Sequence, residues 1–496
     1  MKIQGNQTAD TLRRCFGLRE TITITVGTVI GVGLFTVGAN VVGMMGSGVI
    51  FATLTAMLIS IYPALLYAEM GAALPLAGGT YQYATLGLNR PIGMLAGWNF
   101  IISMVSVAGG EALAFSYYFR TLLEALKLPF PIDDRIIACA AIGVFTLLGI
   151  RGVKMTGRMQ NGFMFFFWGV TIVWILSMLP KLHFASFQSV MPCFSSSPAG
   201  FMACVAMVWW CFAGFETCCA MGEEIKYPQI NLPRALFLAP LIVFAVNGLF
   251  QWMLVCIVPT DSLHSLAQAA APYAEGMRLA GVVGFPLILL CLGITFGGDF
   301  STLNASVNAP ARYLYTMSRD GAIPPIFSHI HPRYQTPHWA IGLLGGLMVL
   351  IILTGSITYI ASLSLFATLL YYVIGIASAW SLRRKKPDLH RPYRAPLIWL
   401  GAPVSILIYL AMMTQLDWKA IVVGVAWNLV GLSIYAVYGR KHLAVCSASE
   451  QIGPVQTPPA AERHKMDQEY HIWRTIVIGA VILVCCLFLL SFVIGH

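Results

Sequence analysis

Three acidic residues lie inside long runs of apolar residues, where an ionisable side chain is energetically unfavourable. They are Glu111, Glu216 and Asp299. An ionisable group in a membrane interior costs about 2.5 kcal/mol or more, so it is a functional hypothesis by default. Glu216 can act as a proton carrier or as a hinge latch, while Glu111 and Asp299 can take up a proton or attract a cationic substrate. Each can also hydrogen-bond to a neighbouring helix in a purely structural role, and the sequence leaves both interpretations open.

Glycine is concentrated at two places in these apolar runs. The first is residues 27–33 (GTVIGVG), and the second, residues 210–216 (WCFAGFE), holds Gly214. Glycine destabilises a helix interior, so each cluster predicts a broken membrane helix. Backbone N–H groups freed at such a break can bind a carboxylate, and freed carbonyl groups can bind an ammonium. The pair therefore suits a zwitterion, although close helix packing is the alternative explanation for a single cluster.

The elements that must position these residues are apolar segments long enough to cross a membrane. The chain has 496 residues, of which 58% are hydrophobic and 10% are charged, whereas soluble domains have about 25% charged residues. About 20 apolar residues span the hydrocarbon core as a helix. We predict thirteen such helices, over residues 20–44, 46–74, 92–126, 135–150, 157–179, 198–222, 233–258, 276–317, 338–354, 357–382, 396–414, 418–438 and 472–494.

The distribution of basic residues predicts how the chain is oriented across the membrane. If the N-terminus is cytoplasmic and the helices alternate, 24 of the 30 Lys and Arg residues fall inside and 6 outside. Cytoplasmic loops of polytopic proteins carry this excess. The formal net charge of +10 therefore reflects membrane topology, and we expect no nucleic-acid partner.

The same pattern divides the chain into six parts. We predict a cytoplasmic segment (1–19), a ten-helix transport core (20–382), a cytoplasmic loop (383–395), two accessory helices (396–438), a flexible cytoplasmic linker (439–471) and an extra helix (472–496). The start of the chain is polar and basic, so we expect no cleavable signal peptide.

Several classes of function find no support. None of the 12 cysteines has zinc-type spacing, and no nucleophile–base motif or phosphate loop is present. Only Cys193 lies in an evident outer loop, so no structural disulfide is expected. We therefore expect that the protein is not an enzyme and that it binds no cofactor or metal ion. The expected partners are an amino acid or amine substrate and the lipid bilayer, and homo-oligomerisation stays open.

Six groups of motifs follow one another in a recognisable order. They are 27–35; 67–71 (YAEMG) with 75–83 (PLAGGTYQY) and 97–98 (GW); 152–154 (GVK); 212–216 (FAGFE) with 223–228 (EEIKYP); 301–305 (STLNA) with Arg312 and 318–321 (SRDG); and 383–396. In these motifs the chain resembles the amino acid–polyamine–organocation superfamily, from Leu12 to about Pro396. Tyr227 departs from the pattern, which usually has Asn there.

The resemblance implies an all-α membrane protein with a LeuT-type fold. That fold has five helices, five inverted helices and then two more, and it works by alternating access around a site walled by helices one, three, six, eight and ten. The thirteenth helix departs from the usual twelve, and the resemblance implies no role for it.

Specific site residues follow from the broken helices and the resemblance together. The expected substrate contacts are Ile30, Gly31, Val32, Gly33, Trp210, Phe212, Ala213 and Gly214. The resemblance implies that Trp210 or Phe212 caps the substrate, with Trp209 as an alternative and a lipid- or core-facing aromatic as the structural explanation. We assign gating or proton coupling to Trp210, Glu216, Glu111 and Asp299.

The resemblance implies a secondary active transporter that carries amino acids across the cytoplasmic membrane, by exchange or with protons. A polyamine or amino-alcohol carrier is one alternative, and a non-transporting nutrient sensor or scaffold is another. One proton-coupled branch of the superfamily has a lysine in helix five, but no Lys or Arg lies between Arg158 and Lys181 here. Sodium coupling would need oxygens near Ser301 and Thr302, and such hydroxyls are also common in helix packing.

The topology gives a direct prediction. The loop 387–394 should be cytoplasmic and the C-terminus external, because thirteen helices follow an internal start. A C-terminal tag on intact cells should therefore react with an impermeant reagent. A tag that reacts only after the cells are opened would show that one helix is miscounted.

Overall fold

The computed structural model describes residues 14–128, 131–182, 198–442 and 457–494. This part of the chain is helical and contains no strand beyond two isolated bridges. The α-helices are α1 (Leu18–Gly27), α2 (Ala39–Met45), α3 (Val49–Ala73), α4 (Gly79–Gly87), α5 (Arg90–Ala125), α6 (Asp134–Arg151), α7 (Val153–Met178), α8 (Pro198–Trp210), α9 (Thr217–Ala220), α10 (Pro228–Ile257), α11 (Pro272–Leu279), α12 (Phe285–Gly293), α13 (Phe300–Arg319), α14 (His338–Ile352), α15 (Ile357–Lys385), α16 (Ile398–Met413), α17 (Trp418–Ile434), α18 (Arg440–His442) and α19 (Ala460–Ile494).

Apolar helices dominate the fold, and each predicted block coincides with one or more of them. Eight helical runs in the described residues are long and apolar enough to cross a membrane. They are Gly33–Ala73, Arg90–Ala125, Gly157–Lys181, Pro228–Ile257, Phe285–Arg319, Tyr359–Lys385, Trp418–His442 and Ala460–Ser491. Shorter apolar helices are α8, α14 and α16. The prediction of an all-helical, polytopic membrane protein is therefore confirmed.

The predicted block 276–317 is wrong as one continuous helix. The chain turns between α11 and α12, where Gly281 and Gly284 have φ of +67° and +77°. These left-handed conformations end a right-handed helix. Helix α11 is thereby separated from the run Phe285–Arg319, which continues from α12 through the π-helical segment Ile294–Asp299 into α13.

The flexible linker is shorter than predicted. Helix α19 begins at Ala460, so residues 460–471 are helical. Side chains anchor this part of α19 to α10, since the Tyr227 hydroxyl donates a 2.8 Å hydrogen bond to Glu462 and Arg234 pairs with Asp467. Residues 443–456 of the linker, like Cys193, lie outside the described residues.

Two groups of helices pack around the centre of the bundle. The first group is α5 with α13 and α15, both of which it contacts. The second is α10 with α3 and α19, which lie on either side of it, and α10 also contacts α1. Large apolar side chains cover much of the periphery, and Leu147 and Leu407 are 63% and 66% exposed. Exposed apolar surface on this scale suits contact with lipid tails.

Ion pairs join helices at the end of the bundle that is predicted to be cytoplasmic. Arg312 of α13 contacts Glu224, which follows α9, at 2.9 Å, and both side chains are at most 1% exposed. Glu69 at the end of α3 accepts hydrogen bonds from Arg383 and contacts Arg391 at 3.4 Å. These contacts bind the ends of several helices to one another.

The buried Arg312–Glu224 pair predicts a large stability effect. Glu224→Leu leaves the guanidinium buried without its carboxylate, and breaking a buried pair in this way costs about 3–5 kcal/mol. Thermal unfolding of the purified protein in detergent should show a clear drop in Tm. Arg463→Gln is the control, because Arg463 and Asp467 are about half exposed and such pairs contribute at most about 1 kcal/mol. Equal Tm values for the two variants would contradict the prediction.

Candidate functional site

The first break separates α1 from the π-helical segment Gly33–Gly38. Here the backbone groups find partners on other helices. The Val32 N–H donates a 2.7 Å hydrogen bond to Oε2 of Glu111 on α5. The Ile30 carbonyl accepts a 3.1 Å hydrogen bond from Thr302 of α13, whose hydroxyl also lies 2.8 Å from the carbonyl oxygen of Gly27. Side chains of α5 and α13 therefore supplement the backbone hydrogen bonds that remain at the break, such as that from the Ile30 N–H to the Val26 carbonyl.

The second break separates α8 from α9. Gly214 has φ of +107°, a conformation that residues with a Cβ rarely adopt. Its N–H donates a 3.3 Å hydrogen bond to the hydroxyl of Tyr372 on α15, and this hydroxyl donates to Oε2 of Glu216. Glu216 is 1% exposed, and its Oε1 has no hydrogen-bond partner in the described part of the chain. Tyr372 thus joins both ends of the break.

The two breaks lie against each other in antiparallel order. The Cys211 thiol donates to the Gly33 carbonyl at 3.0 Å, and a Cβ on Gly214 would lie 3.3 Å from the Thr28 methyl group. Residue numbers therefore rise along one segment as they fall along the other.

A small cavity lies between the two breaks. It has a volume of about 20 Å³, enough for roughly one water molecule, so the centre is closed in this conformation. Its walls come from both breaks and from α5, α13 and α15: Thr28, Val29, Val32, Gly33, Ser103, Met104, Val107, Glu111, Trp210, Ala213, Thr302 and Thr368.

Trp210 separates this cavity from a much larger one. The larger cavity has a volume of about 660 Å³, includes Asn40, Gln268 and Asp417 in its lining, and also contacts Trp210. It lies at the helix ends opposite to the loop 383–395, so the predicted orientation would place it on the outer side. The Trp210 indole N–H donates a 3.1 Å hydrogen bond to Ser364 of α15. The ring therefore lies between the two cavities, and we call the larger one the outer vestibule after its predicted orientation.

The predicted contact residues divide into two groups. Val32, Gly33, Trp210 and Ala213 line the cavity. The other four, Ile30, Gly31, Phe212 and Gly214, are buried and do not line it. Trp209, the alternative to Trp210, packs instead against Tyr372 and Tyr409.

The three predicted acids form two separate sites. Asp299 ends the π-helical segment Ile294–Asp299 and lies beside Glu111, and both residues are 0% exposed. Neither oxygen of Asp299 has a hydrogen bond of normal geometry within the described residues. Two neighbouring carboxyl groups without a compensating cation cannot both be charged at an acceptable cost. Glu216 belongs to the other break, with Tyr372.

Gln160 of α7 is a residue that sequence reasoning missed. Its amide nitrogen donates to the Thr23 carbonyl at 3.1 Å and to Ser301 at 2.7 Å, and its amide oxygen accepts from Asn304 at 2.7 Å. Gln160 therefore connects α1 to α13. It lies on α7, the fifth membrane helix, in which one proton-coupled branch of the superfamily has a lysine. Its position as a polar residue within an apolar run could have identified Gln160 from the sequence. Tyr372 was also missed, and its sequence signal is weaker because tyrosine is common in such runs.

Comparison with known proteins adds a family to this geometry. A sequence profile described as "Amino acid permease" matches residues 16–438, well over half of the chain. The chain belongs to the amino acid permease family. This permease is 25% identical over 452 residues to the branched-chain amino acid permease of Bacillus subtilis (strain 168), covering 87% of this chain and 94% of the relative. Helix α19 lies beyond the matched residues.

Two further relatives from the same bacterium have other named substrates. The methylthioribose transporter is 25% identical over 436 residues, covering 84% of this chain and 91% of the relative. The serine/threonine exchanger is 25% identical over 443 residues, covering 87% and 97%. With its family and its apolar helices, this permease is a multi-pass protein of the cell membrane.

The break glycines predict a loss of transport without a loss of protein. In Gly31→Leu the new Cβ alone would lie 2.1 Å from Oε1 of Glu111, and in Gly214→Leu a side chain is forced onto φ of +107°. Each variant should reach the membrane yet fail to take up substrate. The control is Gly342→Leu in α14, where a Cβ meets nothing within 4 Å. Normal uptake by either break variant would assign that glycine to packing alone.

Proposed function

We propose that this permease is a secondary active transporter that carries amino acids across the cell membrane by alternating access. The observation that carries the proposal is the closed cavity between two antiparallel helix breaks. Trp210 bounds that cavity towards the outer vestibule, and the ion pairs around Glu69 and Glu224 close the path to the cytoplasm. A site closed on both sides is the intermediate that alternating access requires.

A LeuT-type inverted repeat is the architecture that best accounts for the paired breaks. They occur in the first and the sixth of the predicted membrane helices, which are equivalent positions in two halves of five. Antiparallel contact between them supports opposite orientation of the two halves in the membrane. The accessory helices α16, α17 and α19 stand outside this ten-helix core.

The carboxylate of an amino acid would bind at the first break. The helix resumes there, so N–H groups such as that of Val32 point from the positive end of a helix dipole. In the closed state Glu111 occupies that N–H. A substrate carboxylate would take the place of Glu111, and the substrate ammonium would bind at carbonyl groups near the end of α8.

The side-chain end of the cavity favours a neutral amino acid with an apolar side chain. Val29, Val32, Met104, Val107 and Ala213 are the aliphatic part of the cavity lining, and Glu111 is the one ionisable residue among the described residues that line it. Apolar walls stabilise apolar side chains by burial and do not compensate a charge. The branched-chain permease among the relatives supports this choice, while the methylthioribose transporter shows that the family includes other substrates.

An amine carrier is the second candidate, and one observation favours it. Oε1 of Glu111 reaches the cavity region without a hydrogen-bond partner among the described residues. A carboxyl group in that position attracts an ammonium that has no carboxylate of its own. Polyamines and amino alcohols have that chemistry.

Counterflow in liposomes separates these functions. Purified protein in liposomes loaded with unlabelled leucine, serine or putrescine is exposed to a trace of the same compound in labelled form. Accumulation of leucine above empty liposomes is expected, with weaker signals for serine and putrescine. Preference for putrescine would select the amine carrier. No accumulation of any amino acid or amine would contradict transport and favour a sensor or scaffold.

Proton coupling gives a paired measurement on Glu216. We expect Glu216→Gln to retain counterflow but to lose accumulation driven by a pH gradient. Glutamine has the shape of a protonated glutamate and can still accept the Tyr372 hydrogen bond, yet it cannot carry a proton. If the variant accumulates substrate like the wild type, Glu216 is structural, and Glu111→Gln and Asp299→Asn become the variants to measure. If the wild type ignores the gradient, the permease is an exchanger or is driven otherwise.

A further inference from the structure

An apolar groove lies on the membrane-facing side of the bundle, away from the central cavity. It runs between α7, α10 and α19 and has a volume of about 680 Å³. Phe165 and Ile172 form one wall, Leu249 lies at the back, and Ile476 and Ala480 form the wall on α19. Volumes of about 300–1,000 Å³ are typical of small-molecule sites. The groove exists because α19 stands partly away from the other helices.

The length and position of the groove match half a bilayer. Its lining on α19 extends from Glu469 to Ala480, and eleven residues of helix rise about 16 Å. The hydrocarbon core is about 30 Å thick. Since the polar end at Glu469 joins the cytoplasmic part of α19, the groove covers the inner leaflet and ends near the middle of the membrane.

The cytoplasmic end of the groove is basic. Arg19 lines it and contacts Glu469 loosely, at 3.7 Å, while remaining 56% exposed. Two further exposed basic residues, Arg158 and Lys465, belong to the same helix faces as the lining. Arg158 is seven residues before Phe165, and Lys465 is four residues before Glu469, spacings that place side chains on one helix face. Arg19, Arg158 and Lys465 therefore lie along the helix faces that lead to this end, together with two carboxylates, Glu469 and the nearby Glu20 of α1, and the balance of charge is positive.

We propose that this groove binds one anionic phospholipid of the inner leaflet, with an acyl chain in the groove and the phosphate at Arg19. Basic pockets between membrane helices on the cytoplasmic side have the chemistry to bind anionic head groups. An acyl chain supplies the apolar surface that fills the gap between α7 and α19. Because Arg19 belongs to α1, the lipid would contact the helix that leads into the first break.

Native mass spectrometry on the full-length protein tests the proposal. The protein in detergent is titrated with phosphatidylglycerol and, separately, with phosphatidylcholine of the same acyl chains. We expect one retained phosphatidylglycerol per chain and weaker retention of phosphatidylcholine. Arg19→Gln should lower the affinity for phosphatidylglycerol about fivefold, the change expected for one basic residue near a membrane surface.

A second pair of variants tests the groove without changing a charge. Ala480→Phe puts a ring into the groove and should abolish retention of the lipid, whereas Ile478→Phe changes an exposed residue on another face of α19 and should not. Arg474→Gln is the matched control for Arg19→Gln, because Arg474 is exposed and outside the lining. Thr171→Phe on α7 repeats the filling test from the opposite wall.

Several results would overturn the proposal. Equal retention of the two lipids by the wild type would indicate ordinary boundary lipid. Equal losses in Ala480→Phe and Ile478→Phe, or in Arg19→Gln and Arg474→Gln, would place the lipid elsewhere. A dimer mass without bound lipid would make a second copy of the chain the occupant of the groove.

Discussion

Backbone groups in a membrane interior must be hydrogen-bonded, and this requirement shapes the centre of the molecule. An α-helix meets it by itself, but a broken helix does not. Both breaks therefore need polar side chains from other helices. Glu111 and Thr302 supply them at the first break, and Tyr372 does so at the second. The polar residues around the cavity are thus first of all the partners of interrupted backbone.

The same contacts connect the breaks to any movement of the bundle. Glu111 lies on α5, Thr302 on α13 and Tyr372 on α15, so the three helices that wall the cavity each hold a broken helix through a side chain. A shift of α1 or α8 must exchange these hydrogen bonds for others, because an unpaired group would cost several kcal/mol in that setting. In the proposed binding mode, the carboxylate and ammonium groups of the substrate would supply replacement partners for the backbone groups of both breaks. Substrate binding and helix movement would then be linked through these hydrogen bonds.

Local features were predictable from sequence because they depend on local composition. Apolar runs gave the positions of the helices, and the clusters around Gly31 and Gly214 gave both breaks. The three buried acids were also visible in this way, whereas Trp210 was singled out by the resemblance to a known family. The left-handed turns at Gly281 and Gly284 were missed, because a glycine in an apolar run is equally common inside a membrane helix. The helical start of α19 was missed because its anchors, Glu462 and Asp467, depend on side chains at and just before the start of α10.

Hydrogen-bonded pairs between helices that are distant in the chain could not be predicted from the sequence. Tyr372 and Glu216 are separated by 156 positions, and Gln160 and Ser301 by 141. Nothing in either residue type identifies the other. These pairings become important through the geometry of the fold, which brings specific faces of α7, α13 and α15 to the backbone at and beside the breaks.

The two acidic sites differ in what holds them, and this difference bears on their roles. The Tyr372 hydroxyl donates to Glu216 and accepts from the Gly214 N–H. One hydroxyl therefore contacts both the carboxyl group of Glu216 and the backbone of the second break. Glu111 is bound by the Val32 N–H, and its neighbour Asp299 has no hydrogen bond of normal geometry in the described chain. A substrate carboxylate that displaced Glu111 would push a negative charge towards Asp299. That displacement favours uptake of a proton by the pair, since two adjacent carboxylates repel each other. Substrate binding and protonation can therefore be coupled at the first break even if Glu216 serves only as a latch for the second.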